Sequence, residues 1–303
     1  MSKPTVLHVG ELIDLCAERY RAHFEIVDTP SAEVEALIAA APISAGLIAA
    51  LPRLRLIAAY GVGVDKIDLA AARARGIAVT NTPGPTDGCV ADMAFALLLA
   101  AARGVVSGDR FVRAGRWRDG MFPLLPRIHH RRIGILGLGR IGREIARRAV
   151  GFDMPVSYHN RRRVAEVDYA FRESVVALAE GADILMVACP GGEATRHLVD
   201  AAVLRALGPR GILVNIARGS VVDEAALIMA LETGTIAAAG LDVFEHEPKV
   251  PARLMALDNV VLTPHRAGGT IDTWEECADL VIANLRAHYR GERLPTPVDT
   301  GLP

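Results

Sequence analysis

The strongest constraint on the fold is a glycine turn between a buried strand and an amphipathic helix. Residues 132–149 read RIGILGLGRIGREIARRA. Gly137 would form the tight turn, Gly139 would let the backbone approach a pyrophosphate, and Gly142 would let helix and strand pack closely. The first amide groups of the helix would then face the phosphates. This pattern favours a dinucleotide-binding α/β fold, with a purely structural turn as the alternative.

The net charge and the cysteine positions indicate which kind of partner and which compartment to expect. The chain has 303 residues, enough for two domains, and a formal net charge of −1 from 34 basic and 35 acidic side chains. Such a balance predicts a small-molecule partner, with neither nucleic acid nor membrane. The N-terminal residues contain no long apolar run, and the uncharged run 93–102 is too short to cross a bilayer. We therefore expect a cytoplasmic protein with reduced thiols and no metal site; the scattered cysteines are Cys16, Cys89, Cys189 and Cys277.

Apolar runs alternate with helical segments along the chain, which predicts parallel α/β sheets. A long apolar helix through residues 91–103, capped by Thr86 or Asp87, separates two series. A last helix at about 272–290 leads to a tail, 294–298, that is expected to return to the first domain. The first series has predicted strands at 5–9, 24–27, 45–49, 56–60 and 78–81 and helices at 12–22, 32–40 and 69–75; the second has strands at 133–137, 156–160, 184–189, 212–216, 238–243 and 260–263.

The end of the second strand after the glycine turn indicates which dinucleotide binds. In an NAD-binding fold an acid at this place hydrogen-bonds the ribose hydroxyls. Here the place is taken by neutral Asn160, followed by Arg161 and Arg162. Asn160 removes the charge that would repel a 2′-phosphate, and either arginine could hold that phosphate as a fork. NADP(H) is the preferred cofactor and NAD is expected to bind more weakly; a basic surface turn is the alternative.

Three later motifs follow predicted strands, at the edge where α/β sheets bind ligands. They are NIARGS at 215–220, GLDVFEHEP at 240–248 and TPHRAGG at 263–269. They supply Arg218, a glutamate and His265. Reduction of a 2-oxo acid needs a fork for the carboxylate, a proton donor for the carbonyl oxygen and an acid beside the donor. Singly, each residue has another interpretation: a core histidine, a solvated loop acid, or an arginine that caps a helix.

These motifs, with GVGVD at 61–65, NTPG at 81–84 and CP at 189–190, carry a resemblance over nearly the whole chain. The sequence resembles the D-isomer-specific 2-hydroxyacid dehydrogenases, and within them the NADPH-preferring glyoxylate/hydroxypyruvate reductases. The resemblance implies two doubly wound parallel-sheet domains. Residues 1–98 and 288–303 would form a flavodoxin-like substrate domain, and residues 99–287 a Rossmann cofactor domain.

The resemblance also implies roles for individual residues. Arg218 would hold the substrate carboxylate and carbonyl, His265 would be the acid/base, and Glu247, which directly precedes a proline, would hydrogen-bond the imidazole. The backbone of Val62 and Gly63 would bind the carboxylate. By the resemblance, the pyrophosphate would meet Leu138, Gly139, Arg140 and Ile141, the adenosine and nicotinamide ribose region would be lined by Cys189 and Ile216, and Asp242 would lie near the nicotinamide. The other expected cofactor-binding residues are Gly137, Asn160, Arg161, Arg162, Pro190, Thr195 and Gly268.

The implied activity is reduction of glyoxylate or hydroxypyruvate to the D-2-hydroxy acid by hydride transfer from NADPH, in a homodimer. Arg266 departs from the family pattern, because an apolar or small residue is expected after the catalytic histidine. Two alternatives remain at this point. One is an NAD-dependent dehydrogenase of the phosphoglycerate or formate type, and the other is a non-enzymatic, corepressor-like protein that senses the dinucleotide.

Overall fold

The computed structural model of the protein describes residues 3–299 and divides into two compact units. Within the described residues, the first unit runs to Thr86 and resumes at Gly269, and the second is Asp87–Gly268. The expected boundaries, 98/99 and 287/288, fall inside two helices. The observed boundaries lie near the helix ends instead, because the buried side chains of each helix pack within a single core: those of Pro85–Arg103 in the second unit and those of Ile271–Arg290 in the first.

The first unit contains a five-stranded parallel sheet with the order β2-β1-β3-β4-β5. This is the order 2-1-3-4-5 of flavodoxin-like folds. Its strands are β1 (Thr5–Val9), β2 (Glu25–Val27), β3 (Ala36–Ala39), β4 (Leu56–Ala59) and β5 (Ala78–Thr80), and its helices are α1 (Asp14–His23), α2 (Ala45–Ala50), α3 (Leu69–Ala74) and α11 (Ile271–Arg290).

Two predicted elements of the first unit were wrong. Residues 45–49, predicted as a strand, form α2, and residues 32–40, predicted as a helix, contain β3. The Ser44 side chain accepts the Leu47 amide and so caps α2. All four residues of β3 are buried, as expected of a parallel strand covered on both faces. Alanine-rich apolar runs carry too little periodicity to separate these two states.

The second unit contains a seven-stranded parallel sheet with the order β12-β11-β10-β9-β6-β7-β8. Counted from β6, this is the Rossmann order 3-2-1-4-5-6 with one further edge strand. The two-residue β8 was not predicted. The strands are β6 (Ile133–Leu136), β7 (Val156–His159), β8 (Ala170–Phe171), β9 (Ile184–Val187), β10 (Ile212–Asn215), β11 (Ala238–Leu241) and β12 (Val260–Leu262).

Helices and 3-10 turns precede or connect these strands. The helices are α4 (Pro85–Arg103), α5 (Val105–Arg113), α6 (Arg140–Val150), α7 (Val175–Glu180), α8 (Ala201–Leu207), α9 (Glu224–Glu232) and α10 (Ala252–Met255), and the 3-10 turns are Arg116–Arg118, Glu193–Thr195 and Gly219–Val221.

Helix α4 is apolar because it lies in the core of the second unit. Phe95, Leu97 and Leu98 are buried there, and a Cβ at Gly240 of β11 would lie 2.8 Å from Leu97 Cβ. Among the described helices, α4 alone has the length and composition to cross a membrane, but its buried side chains account for that composition. The helix begins at Pro85, so the two expected caps lie in its first turn.

The C-terminal tail returns to the first unit, as the sequence predicts. The Val298 amide donates to the Val79 carbonyl at 2.8 Å, and Pro297 pairs antiparallel with Thr80 of β5. The Asn284 side chain of α11 donates to Thr296 Oγ1 at 2.9 Å. The tail therefore pairs with β5, an edge strand of the five-stranded sheet.

Candidate functional site

The turn between β6 and α6 has the shape of a phosphate-binding loop. Gly137 adopts φ +100°, and a Cβ there would lie 2.5 Å from the Cys189 amide nitrogen, so the close approach to the end of β9 requires glycine. A Cβ at Gly142 would overlap the Gly137 carbonyl oxygen. At Gly139, by contrast, a Cβ would meet no atom within 4 Å. The backbone above Gly139 is therefore open to a ligand.

The amide groups that follow this opening suit a pyrophosphate. Helix α6 begins at Arg140, so the amides of Arg140 and Ile141 have no carbonyl partner within the helix and lie at its positive end. Leu138 differs, because its amide donates to Asn160 Oδ1 at 2.7 Å and its side chain is buried. Arg140 and Ile141 can supply free donors to phosphate, whereas Leu138 and Asn160 fix the turn to the end of β7.

The Arg140 side chain is held beside the turn by an acid that the sequence analysis had treated only as a cap. Arg140 Nε donates to Asp87 Oδ2 at 2.7 Å. The arginine side chain is 63% exposed and the Asp87 carboxylate only 11%. The buried carboxylate thus fixes the near side of the guanidinium and leaves the rest in solvent. Nothing local in the sequence indicates this pair, because its members are 53 positions apart.

The basic loop after β7 is held at its base. The buried Tyr158 hydroxyl accepts the Val164 amide at 2.9 Å and donates to the Val164 carbonyl at 3.2 Å. Arg161 and Arg162 lie between these anchors, and both are exposed. Across residues 3–299, neither arginine side chain has a hydrogen bond or ion pair. Two unneutralised guanidinium groups beside neutral Asn160 fit a 2′-phosphate.

The segment after β9 is shaped by a threonine. Thr195 Oγ1 lies 2.8 Å from the Pro190 carbonyl oxygen and 3.0 Å from the Gly192 carbonyl oxygen, and its hydroxyl donates to them. Burial raises the pKa of Cys189 to about 11, so its sulfur is a thiol at neutral pH. Ile216, after β10, is buried in the core beside α4.

Arg218 is positioned by the loop that leaves β10. The Asn215 side chain donates to the Arg218 carbonyl at 3.0 Å and accepts the Ala217 amide at 3.0 Å, so one amide braces both ends of the turn. The Arg218 guanidinium donates to the Ala217 carbonyl at 2.7 Å. Gly191 contacts the aliphatic stem, since a Cβ there would lie 2.5 Å from Arg218 Cγ. Contacts to its backbone, its aliphatic stem and its guanidinium therefore fix the position of the arginine.

His265 and Glu247 form a hydrogen-bonded pair. His265 Nδ1 lies 2.8 Å from Glu247 Oε2, while Glu247 Oε1 accepts the Phe244 amide at 3.2 Å. The imidazole is 40% exposed and the carboxylate 23%. Because Nδ1 faces the carboxylate, Nε2 is the ring nitrogen left to exchange a proton with a ligand. The structure thus brings together the acid and the imidazole that the sequence singled out.

Asp242 stabilises the loop that contains His265. Its fully buried carboxylate accepts the Thr263 hydroxyl at 2.6 Å and the amides of Arg266 and Ala267, each at 2.9 Å. Its carbonyl accepts the His265 amide at 2.8 Å. His265 adopts φ 51°, a conformation that needs such support in a residue other than glycine.

Asp242 was expected near the nicotinamide, and its supporting role was not predicted. The signal was an acid within the apolar run 238–243, since a buried carboxylate requires several donors. The loop that Asp242 supports ends at Gly268, the last residue of the second unit.

Val62 and Gly63 belong to the first unit, whereas Arg218, Glu247 and His265 belong to the second. Their loop is also braced by side chains. The Gly61 amide donates to Thr82 Oγ1 at 2.9 Å, and Asn81 Nδ2 donates to the Val62 carbonyl at 2.7 Å. The amides of Val62 and Gly63 take no part in these two hydrogen bonds, so both can serve as the donors expected from the sequence.

A dinucleotide turn, an imidazole–carboxylate pair and an arginine at the carboxyl ends of one Rossmann sheet define a nucleotide-dependent oxidoreductase. Residues 95–267 match the family model of the D-isomer specific 2-hydroxyacid dehydrogenase, NAD binding domain. The chain belongs to the D-isomer-specific 2-hydroxyacid dehydrogenase family.

Named relatives cover most of the chain. It is 46% identical over 275 residues to glyoxylate/hydroxypyruvate reductase A of Arabidopsis thaliana, covering 90% of this chain and 88% of the relative. It is 48% identical over 254 residues to hydroxyphenylpyruvate reductase of Plectranthus scutellarioides, covering 84% and 81%. An NADPH-dependent glyoxylate/hydroxypyruvate reductase from Sinorhizobium meliloti, solved with NADP and malonate, superposes with a TM-score of 0.94 at 41% identity over 99% of this chain and 98% of that one. These matches confirm the expected family, the expected fold class and the expectation of an enzyme.

Proposed function

We propose that this protein uses NADPH to reduce a small 2-oxo acid, glyoxylate or hydroxypyruvate, to the D-2-hydroxy acid. The observation that carries the proposal is the 2.8 Å hydrogen bond between His265 Nδ1 and Glu247 Oε2, in the same unit as the dinucleotide turn. Two of the relatives described above are named for this activity. The pair supplies the proton that the carbonyl oxygen needs as it becomes a hydroxyl.

Each residue has a distinct part in the reaction. Arg218 binds the carboxylate and the carbonyl oxygen of the substrate. The amides of Val62 and Gly63 are proposed separately as carboxylate donors of the first unit. Bound NADPH supplies the hydrogen and two electrons that reduce the carbonyl carbon. His265 gives the oxygen a proton from Nε2 while Glu247 holds Nδ1. The guanidinium and the imidazolium stabilise the negative charge that develops on the oxygen, so no metal is assigned a role in this step.

The proposed preference for NADPH over NADH rests on Asn160, Arg161 and Arg162. Replacing both arginines with glutamine should weaken NADPH binding by about 1.5–3 kcal/mol for each lost charged hydrogen bond, and NADH binding should not change. Fluorescence titration of each cofactor measures this difference. The matched control is Arg205→Gln, an exposed arginine on α8. Equal losses for the two cofactors would refute the assignment and favour a surface turn.

The substrate is tested with a panel of 2-oxo acids. With NADPH, kcat/KM should be far higher for glyoxylate and hydroxypyruvate than for a phosphorylated oxo acid, because Arg218 supplies a single fork for one carboxylate beside one ketone. Hydroxyphenylpyruvate belongs in the panel because one relative is named for it. A preference for it, or for a phosphorylated acid with NADH, would overturn the substrate assignment but leave the reaction class unchanged. Absence of turnover with every acid, together with tight cofactor binding, would favour the sensing protein.

A homodimer is proposed from the surface that follows α4. Apolar side chains are exposed along this stretch, namely Val105, Val106, Val112, Trp117, Met121, Leu124 and Leu125. So many exposed apolar residues within one segment suit contact with a second copy. Light scattering should give a dimer, and a double change of Trp117 and Leu124 to aspartate should give monomers. A wild-type monomer at micromolar concentration would contradict this proposal.

A cytoplasmic location is proposed from the balanced charge and is tested by cell fractionation.

A further inference from the structure

A second Glu–His pair lies beside the catalytic one. Glu245 is two residues before Glu247, yet its carboxylate binds elsewhere: Oε1 accepts Arg196 Nη2 at 2.7 Å and His197 Nε2 at 2.9 Å. The Glu245 side chain is 12% exposed. Burial alone would raise the pKa of Glu245, but the hydrogen bonds and charges of His197 and Arg196 outweigh it and hold the pKa below its ordinary value. Glu245 is thus a partly buried, ionised anchor.

The residues that Glu245 binds lie along the segment that follows Arg218. The His197 amide donates to the Ser220 carbonyl at 2.8 Å, and the Val199 amide donates to the Val221 carbonyl at 3.0 Å. His197 adopts φ 52°, a backbone conformation that is uncommon for a residue other than glycine. The segment 195–199 is therefore fixed to the segment 218–222 independently of Glu245.

The segment around Glu245 also contacts the Arg218 segment directly. Gly219 lies so close to the backbone of Phe244 and Glu245 that an added Cβ would overlap both. The Glu245 amide donates to Glu224 Oε2 at 3.3 Å, and Glu224 is the first residue of α9. Both the backbone and the side chain of Glu245 thus have fixed partners outside their own loop.

The anchored loop in turn holds Glu247, the carboxylate partner of His265. The Phe244 amide, adjacent to Glu245, donates to Glu247 Oε1 at 3.2 Å, and Glu247 Oε2 contacts His265 Nδ1 at 2.8 Å. A shift of the 244–247 backbone would change both contacts together. A small displacement of a catalytic group is enough to slow a reaction strongly.

We infer that Glu245 is a positioning residue of the reaction, whose ion pairs with Arg196 and His197 hold the loop of Glu247 against the segment of Arg218. It touches neither substrate nor cofactor and acts through Glu247. This inference rests on the proposed reductase function, because its effect is read in turnover.

The test is a double-mutant cycle measured as glyoxylate reduction with NADPH. Glu245→Gln should lower kcat roughly tenfold in the wild-type background, because the loop loses its charged anchor. In a Glu247→Gln background the same change should alter kcat less than about twofold, since the residue it positions is already gone. The KM for NADPH should stay constant in all variants. Glu232→Gln, which removes an exposed ion pair with Arg253 in the same unit, is the matched control and should leave kcat unchanged.

The outcomes separate the two proposals. Equal losses from Glu245→Gln in both backgrounds would show a general structural role and overturn the inference, as would an unchanged kcat in the wild-type background. If Glu245→Gln does not fold, Arg196→Gln removes only the more exposed ion pair and should give a smaller loss that also vanishes with Glu247→Gln. A wild-type protein without turnover would refute the proposed function, and the inference with it, whereas an active wild type with an unaffected variant refutes the inference alone.

Discussion

Two glycine-containing loops follow strands in the two sheets, and they differ in what they offer. Gly61, after β4, and Gly137, after β6, both have positive φ, +112° and +100°. A Cβ at Gly61 would meet nothing within 4 Å, whereas at Gly137 it would lie 2.5 Å from the Cys189 amide nitrogen. Helix α6 begins three residues after Gly137, but no helix follows Gly61 until Leu69.

The two loops thus use glycine for different physical reasons. The loop at 61–65 needs glycine for its backbone conformation, and it offers amides that neighbouring side chains hold in place. The turn at 137–142 needs glycine for close packing, and it offers the end of a helix. The side chains proposed for the chemistry, Arg218, Glu247 and His265, all lie in the second unit.

The largest expected effect comes from a side chain of the second unit. His265→Gln should lower kcat by roughly 10²–10⁴, because the general acid is lost, with cofactor affinity retained. Val62→Ala is the matched change in the first unit, and it should alter kcat little because the amide remains. Steady-state kinetics with NADPH and glyoxylate measure both. An equal loss in the two variants would contradict the division between backbone and side-chain roles.

The next effect separates packing from conformation at the two glycines. Gly137→Ala should destabilise the protein by about 2–5 kcal/mol, since the new Cβ overlaps the end of β9 and must also adopt positive φ. Gly61→Ala carries only the conformational cost, about 1–2 kcal/mol. Urea unfolding of both variants tests the order. A larger loss at Gly61 would show that the space around it is not open.

A smaller effect is expected from the side chain that braces the first loop. Asn81→Ala removes the 2.7 Å hydrogen bond to the Val62 carbonyl, worth about 0.5–1.5 kcal/mol. The KM for glyoxylate should rise about two- to tenfold while kcat stays close to that of the wild type. A fall in kcat without a change in KM would place this loop in the chemical step.

The smallest expected effect is a difference in acid stability between the units. Burial lowers the pKa of His8 and of His288, both in the first unit, below the ordinary 6.5. Below pH 6.5 the unfolded chain therefore binds more protons than the folded one, so the first unit loses stability as pH falls toward the folded pKa.

The second unit should respond at lower pH. There the hydrogen bond from Arg132 holds the pKa of Asp183 below its ordinary 3.8, so this stabilisation persists until pH falls below that value. Proteolysis in urea at about pH 7.5 and about pH 5.5, with fragments assigned by mass spectrometry, measures the two units separately. Greater acid loss in the second unit would contradict this difference.

Much of the second unit could be predicted from the sequence, because recognisable glycine, arginine, glutamate and histidine motifs follow its strands. The glycine turn and the motifs around Arg218, Glu247 and His265 each lie directly after a strand, where a parallel sheet gathers its ligand-binding residues. The first unit was harder, since residues 32–50 are alanine-rich and their strand and helix were exchanged in the prediction.

Contacts between distant segments could not be read from the sequence. The Arg140–Asp87 ion pair, the three donors of the Asp242 carboxylate and the Glu245 anchor all join segments that only the folded sheet brings together. Residue types identified the acid, the imidazole and the arginine, whereas their orientation depends on these supporting contacts. A buried acid within an apolar run, such as Asp242, was the one local signal of this support.

Product analysis tests the proposed D-specific, NADPH-dependent reduction in a single experiment. Purified wild-type protein is mixed with NADPH and hydroxypyruvate, and the loss of reduced-nicotinamide absorbance is compared with the glycerate formed, resolved by chiral chromatography. One D-glycerate is expected for each NADPH consumed. Formation of L-glycerate, or no consumption of NADPH by protein that binds it, would contradict the account.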